Sequence, residues 1–141
     1  MIRIITVGNV KKINSFIDHY MKQMKQVSIE SVKEEKNNNV NIIKKKEGER
    51  LLKKLKGDYS VALSEDGEQV TSIEFAALCK QYPNLTFLVG GAFGLSEEVK
   101  KKSDMVLSLG KMTFPHDIAL LLLVEQVYRS KMINSSRKYH K

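Results

Sequence analysis

The stretch LTFLVGGAFGLS, residues 85–96, decides the fold class. Its first five residues are apolar throughout, which is typical of a central parallel strand buried on both faces. Gly90, Gly91 and Gly94 follow directly and allow the backbone to turn sharply and to approach a ligand closely. Ser96 can then cap a short helix, SEEVKKK. A buried strand, a glycine loop (residues 90–94) and a helix in this order predict one unit of a layered α/β fold.

The same alternation of strand and helix extends along the rest of the chain. Short apolar or alternating segments predict strands at Ile2 to Val7, Val27 to Val32, Tyr59 to Leu63 and Met105 to Leu109. Apolar residues at helical spacing predict helices over 13–25, 41–56, 71–81 and 116–132, and Thr71 with Glu74 forms a capping box. SEDGEQ after Leu63 is predicted as a turn, and KEEKNNN before the basic helix as a mobile polar loop. Without a linker or repeat, the 141 residues predict one α/β domain over 1–141, with a mainly parallel sheet sandwiched by helices.

The charge balance favours a polyanionic partner. The chain has 24 Lys and Arg against 16 Asp and Glu, a net charge of +8, and such a surplus favours nucleic acid. Lys44, Lys45 and Lys46 lie in the basic helix, where they form either a solvated face or a phosphate-contacting face. Arg129, Arg137 and Lys138 are further candidates for phosphate contacts, with an ordinary flexible basic tail as the alternative.

Several classes of protein are disfavoured by the sequence. Cys79 is the single cysteine, so an internal disulfide is not expected, and neither cysteine nor histidine spacing suggests a metal site. The N-terminus lacks the pattern of a signal peptide, and the longest apolar run, residues 118–124, is too short to span a bilayer. We therefore expect a cytoplasmic protein with no metal and no membrane contact.

The last helix predicts a homodimer. Residues 118–124 read IALLLLV, and a helix that is apolar on every side must be buried on more than one face. The sheet of a small domain covers one face, and a second subunit would cover the other. The alternative is a central helix buried entirely within the chain.

Three predicted strand ends, at Leu63, Val89 and Leu109, are candidates for a binding site, because open parallel sheets bind ligands beyond the carboxyl ends of their strands. The glycine loop matches neither a dinucleotide fingerprint nor a phosphate-binding P-loop. The loop after Leu109, LGKMTF, is unusually apolar. Leu109, Met112 and Phe114 would either wall an adenine ring or plug the core beneath the last helix.

The motifs taken together resemble a known family. LVGGAFGLS, LSLGKMTFPH, LLLVEQVYRS and a terminal YHK occur in this order, with IITVGNVKK at the start and KKKEGERLL in the basic helix. They resemble the SPOUT-class methyltransferases that methylate N3 of a pseudouridine in large-subunit ribosomal RNA. The resemblance covers essentially the whole chain and is densest from residue 85 onward.

The resemblance implies a C-terminal α/β knot and a homodimer with its active site near the subunit interface. It implies S-adenosylmethionine as cofactor and large-subunit RNA or the ribosome as partner. The glycine-loop and neighbouring residues implied in cofactor binding are Leu63, Gly90, Gly91, Gly94, Leu109, Gly110, Lys111, Met112, Thr113 and Phe114. Tyr139 and His140 match the family's terminal segment on the RNA side of the site.

The implied reaction is in-line methyl transfer, in which the protein mainly aligns the reactants. The target nitrogen must lose its proton, and His140 is the candidate base with Tyr139 beside it; an ordinary terminal histidine is the alternative. His116 is interpreted as structural. Leu120 departs from the family pattern, which has an arginine there, so a non-catalytic RNA-binding or ribosome-assembly module remains an alternative. A flavodoxin-like nucleotide-binding regulator is a second alternative.

Overall fold

A computed structural model describes residues 1–9 and 13–141. Strands and helices alternate in it as β1 (Ile2–Val7), α1 (Asn14–Met21), β2 (Val27–Val32), α2 (Val40–Lys53), β3 (Tyr59–Gln69), α3 (Ser72–Gln81), β4 (Leu85–Val89), α4 (Glu97–Lys102), β5 (Met105–Ser108) and α5 (His116–Asn134). The five strands form one parallel sheet in the order β2-β1-β4-β3-β5. The predicted α/β class is confirmed.

Helices cover both faces of this sheet. Successive strand residues point to opposite faces, so Ile4 lies in one core cluster and Ile5 in the other. The first cluster is completed by α1, α3 and α5, with Ile17, Phe75 and residues 120–127. The second is completed by α2 and α4, with Leu51 and Val99. All five residues of β4 are buried, as the apolar run predicts.

Local sequence signals account for most boundaries. β1, β2 and β4 have the predicted limits. Thr71 and Glu74 form the predicted capping box of α3, and the Ser96 hydroxyl accepts the Val99 amide at the start of α4. Cys79 is half-buried against the first cluster, as expected of a core cysteine, and burial raises the pKa of its thiol to about 11.

The prediction that a turn follows Leu63 is wrong. β3 continues to Gln69, and Leu107 of β5 pairs with both Leu63 and Glu68. Residues 64–67 therefore bulge outward while the strand resumes after them. The backbone groups of Glu68 and Gln69 find hydrogen-bonding partners on β5, and a pattern of polar side chains cannot reveal that pairing.

Two predictions about α2 and the segment before it also need correction. Their spacing predicts that Ile42, Ile43, Leu51, Leu52 and Leu55 form the buried side of the helix, but Ile42 is 37% exposed, whereas Glu47 and Gly48 are buried. The segment predicted as a mobile loop is attached to α2. Arg50 donates to the Lys33 carbonyl at 2.9 Å and to the Glu35 carboxylate at 2.6 Å.

The apolar run of α5 is divided between two environments. Leu120, Leu123, Val124 and Val127 are each 0–1% exposed in the first core cluster. Ile118 is exposed, and Leu121 and Leu122 are half-buried. The core thus accounts for the apolar residues on one side of α5. The homodimer that would cover the apolar residues on the other side stays a prediction. Among the described residues no helix is long and apolar enough to cross a membrane.

Candidate active site

Three loops, namely the bulge of β3 and the segments that follow β4 and β5, enclose a cavity of about 600 Å³ at one end of the sheet. This first cavity brings together nine of the ten residues predicted to bind cofactor, namely Leu63, Gly90, Gly91, Gly94, Leu109, Gly110, Met112, Thr113 and Phe114. Lys111 lies in the same loop but is exposed and outside the cavity wall. The position agrees with the general rule for open parallel sheets.

Short hydrogen bonds hold the loops in shape. In the glycine loop, the Gly94 amide donates to the Gly91 carbonyl at 3.1 Å. In the loop after β5, the Ser108 hydroxyl donates to the Gly110 carbonyl at 2.7 Å and accepts the Gly110 amide at 3.1 Å. The Thr113 hydroxyl donates to Glu65, which joins the loop after β5 to the bulge of β3. Hydrogen bonds within the protein therefore fix the shape of the cavity.

The apolar residues of the LGKMTF loop line the cavity and do not plug the core. Leu109, Met112 and Phe114 belong to neither core cluster. Met112 is 75% exposed, and Phe93 of the glycine loop is 51% exposed near it. Large apolar side chains are usually buried, so their presence around a cavity mouth favours contact with an apolar ligand or partner.

A second cavity lies beside the first, at the ends of β1 and β2. The two share Gly91, Ala92 and His116 as a common wall. The His116 ring lies 2.6 Å from the Thr6 hydroxyl through Nε2 and 3.2 Å from the Asp117 carboxylate through Nδ1. These contacts agree with the structural role predicted for His116. They also show that residues 109–116 cross from edge strand β5 to β1 over the carboxyl ends of the strands between them.

Glu47 is a residue of this region that sequence reasoning missed. It is 4% exposed, its Oε2 accepts the Glu35 amide at 3.0 Å, and its Oε1 has no hydrogen-bonding partner within the described part of the chain. A Cβ built on Gly91 would lie 3.1 Å from that Oε1, so the carboxylate lies directly behind the glycine loop. Burial raises the pKa of Glu47. A charged residue at a buried position of a helix was the available signal.

The comparisons with known proteins decide the family. A family model described as "Predicted SPOUT methyltransferase" matches residues 1–140. This chain belongs to the SPOUT methyltransferase family. The resemblance found in the sequence is confirmed, and a flavodoxin-like regulator is not supported.

Curated relatives match over almost the full length. This SPOUT chain is 38% identical over 148 residues to ribosomal RNA large subunit methyltransferase H of Acholeplasma laidlawii, with 99% of each chain covered. It is 39% identical over 157 residues to the protein of that name in Bifidobacterium animalis subsp. lactis, again with 99% of each covered. The structure of a probable methylase family protein from Haemophilus influenzae matches with a TM-score of 0.63 over 99% of this chain and 70% of that one. At 15% identity, that likeness concerns the fold alone.

The C-terminal tail of the SPOUT chain, residues 137–141, does not reach the first cavity. The Tyr139 hydroxyl donates to Glu125 at 3.1 Å, and Arg129 donates to His140 Nδ1 at 3.0 Å. An α-helix rises about 1.5 Å per residue, which puts Arg129 roughly 20 Å along α5 from His116. The predicted catalytic pair Tyr139 and His140 is thus separated from the predicted cofactor residues of its own chain.

The tail forms a compact polar cluster on α5. Arg129 forms an ion pair with Glu125 at 2.6 Å and lies 4.8 Å from the centre of the Tyr139 ring. Burial raises the pKa of Tyr139, and the hydrogen bonds that Arg129 donates to Glu125 raise the pKa of Arg129. Arg137 and Lys138 are exposed. Arg129 is therefore occupied within the cluster, whereas the two tail residues are available for phosphate.

The lysines predicted to bind RNA lie at the same end of the sheet as the cavities. Lys44 lines the first cavity, and Lys45 and Lys46 are exposed beside it.

The described residues contain no group of three or more His, Cys, Asp or Glu side chains placed to hold a metal ion.

Proposed function

We propose that this SPOUT methyltransferase transfers a methyl group from S-adenosylmethionine to large-subunit ribosomal RNA, at N3 of a pseudouridine. The observation that carries the proposal is the first cavity, in which three loops from distant parts of the chain converge. Relatives matching along the whole chain are named for methylation of large-subunit ribosomal RNA, which supports the class of substrate.

The first cavity fits the proposed cofactor. Its volume lies within the range usual for small-molecule sites, and it combines apolar side chains with backbone polar groups. Leu109 and Phe114 would lie against the adenine, and Gly90 leaves room for close backbone approach. When bound, S-adenosylmethionine supplies a methyl group activated by a positively charged sulfur. The protein then contributes chiefly by aligning the acceptor with that group.

The leucine at position 120, where the family has an arginine, does not line the first cavity. The Leu120 side chain is 1% exposed and points from α5 into the core, whereas its neighbour Ala119 lines the cavity wall. The departure from the family arginine therefore leaves the cofactor residues in place. A non-catalytic ribosome-assembly module, the alternative it suggested, would have to lose activity elsewhere.

We further propose a homodimer in which the tail of one subunit completes the cavity of the other. The distance between the tail and its own cavity supports this arrangement, because His140 would reach a base held at the cavity only from a neighbouring chain. To accept a proton from that base, the His140 ring would first have to release Arg129, which donates to its Nδ1. The half-buried Leu122 and the exposed Ile118 on α5 offer the apolar surface for the contact. Leu123 belongs to the core and would not report on the interface.

The crossing of residues 109–116 over the sheet supports the family's α/β knot. We propose that this segment passes beneath the bulge of β3, to which Thr113 is attached through Glu65. Connections in most folds do not thread loops, so the knot would be a property of this family and not of the strand order.

Methylation of ribosomal RNA is the direct test of the proposed function. We expect wild-type protein to transfer one labelled methyl group to ribosomal RNA of cells lacking the gene, and mass spectrometry to locate it at a pseudouridine. Free RNA and intact ribosomes should be compared, since the sequence leaves that choice open. Saturable cofactor binding without any transfer to either substrate would favour the assembly module.

The surface lysines of α2 give a separate prediction about RNA affinity. Replacing both Lys45 and Lys46 with glutamine should weaken RNA binding and reduce the slope of log affinity against log salt by about 1–2, because fewer counterions are released. Lys44 is left intact since it lines the first cavity. The control is a double variant of Lys53 and Lys56, which are exposed at the C-terminal end of α2 and just after it. Replacing these two lysines with glutamine should leave the salt slope unchanged. Equal slopes for both double variants would rule out this RNA surface.

A further inference from the structure

The carboxylate of Glu47 has no role in the alignment of substrate described above. It is almost completely buried, and one of its two oxygens lacks a hydrogen-bonding partner among residues 1–9 and 13–141. An isolated buried charge is costly, and natural proteins usually pair it. In the described part of the chain no basic side chain forms an ion pair with it. A buried carboxylate of this kind is suited to a cation that arrives from outside the protein.

The position of Glu47 is fixed by close packing of two helices. Gly48 follows it, and a Cβ at Gly48 would lie 2.8 Å from both the Ser96 hydroxyl and a Val99 methyl group. The absence of that side chain lets α2 approach α4 closely. Glu47 is then held against the glycine loop, where its Oε1 lies behind Gly91, a residue of the wall of the first cavity.

The charges around Glu47 do not neutralise it. The charge of Glu34 makes its ionisation harder, whereas the Glu35 amide, which donates to Oε2, favours the ionised form. Arg50 also favours the ionised form but is engaged by the Glu35 carboxylate and the Lys33 carbonyl. In the wall of the first cavity, Lys100 is paired with Asp66 and Glu97, and Lys44 lies there as well. Among the described residues, none of these cations forms an ion pair with Glu47.

We propose that Glu47 selects the charge of the cofactor: its buried carboxylate, acting through the glycine loop, favours cationic S-adenosylmethionine over the uncharged thioether S-adenosylhomocysteine. This inference rests on the proposed function, because it assumes that the first cavity holds the cofactor. The two ligands differ by one methyl group and one positive charge. A carboxylate in a poorly solvated site distinguishes them strongly, since charges interact more strongly away from bulk water. Preference for the charged ligand would reduce inhibition by the spent product.

Ligand titration of Glu47→Gln tests the proposal without any measurement of activity. We expect the dissociation constant for S-adenosylmethionine to rise about tenfold and that for S-adenosylhomocysteine to change less than about twofold, a change in selectivity of at least about fivefold, or ~1 kcal/mol. Glu98→Gln removes the same charge from an exposed ion pair with Lys102 on α4 and should leave both constants unchanged.

The outcomes separate a charge effect from a packing effect. If both ligands bind more weakly by the same factor, Glu47 only supports the loop and the proposal is wrong; unchanged constants overturn it as well. If wild-type protein binds neither ligand, the proposed function itself fails.

Because burial raises the pKa of Glu47, ionisation above that pKa costs folding free energy. The neutral glutamine avoids this cost at pH 7, and Glu47→Met serves the same comparison should the glutamine variant not fold.

Discussion

Replacing Gly90 with valine should abolish binding of S-adenosylmethionine. A Cβ at this position would lie 2.6 Å from the carbonyl carbon of Gly94 and 2.9 Å from the Leu95 amide nitrogen. Both are backbone atoms, so the clash cannot be relieved by turning a side chain, and the glycine loop must move. Overpacking of this kind costs about 1–3 kcal/mol or more. Calorimetry should show affinity reduced by more than about 100-fold.

Gly91→Ala is the matched control for this prediction. Its Cβ would lie 3.1 Å from a Glu47 carboxylate oxygen and from a Val7 methyl group, both of which are side-chain atoms that can shift. We expect a loss of affinity of about tenfold or less, the effect of a clash near ~1 kcal/mol. Thermal unfolding should show that both variants fold. Wild-type affinity in a folded Gly90→Val protein would mean that the ligand does not use the glycine loop.

Mixed dimers should recover activity that each parent variant lacks. In a dimer of Gly90→Val with His140→Ala, one subunit keeps an intact tail and the other an intact cavity. If the tail acts across the interface, these two parts form one complete site, and the purified mixed dimer should work at about half the wild-type rate. The two homodimers should each be nearly inactive, because every site in them lacks one part.

Single-turnover methylation on one RNA, with differently tagged subunits to isolate the mixed species, gives the required comparison. An inactive mixed dimer would mean that tail and cavity cooperate within one chain, against the separation of roughly 20 Å along α5. A fully active His140→Ala homodimer would instead remove the catalytic role of that histidine. Leu122→Glu provides a further check, since a charge on the proposed contact face of α5 should yield monomers without methyl transfer.

The fold was largely predictable because its signals are local. The apolar run of β4, the capping box of α3 and the alternation of Ile4 and Ile5 each reflect a short stretch of chain. The continuation of β3 was missed because its evidence lies on another strand: Glu68 is polar, and only pairing with Leu107 makes it part of the sheet.

The site was predictable where residues are recognised by type, and less so where geometry decides. Nine of ten predicted cofactor residues line the first cavity, a set obtained from motifs of the family. Three placements needed the structure. Lys111 points away from the cavity, Lys44 lines it, and His140 is bound to Arg129 at a distance from it. Glu47 was overlooked since a lysine-rich, polar helix conceals one buried carboxylate.

The strand order has a consequence for synthesis of the protein on the ribosome. β1 is made well before its inner partner β4, which begins at Leu85. Until β4 emerges, β1 can pair only with β2, and one edge of that pair exposes unsatisfied peptide groups that invite aggregation. The first cavity needs the still later residues 109–116. A nascent chain therefore has no complete cavity until these residues have emerged, and fragments ending before α5 should be caught by chaperones or proteases and never act as partial enzymes.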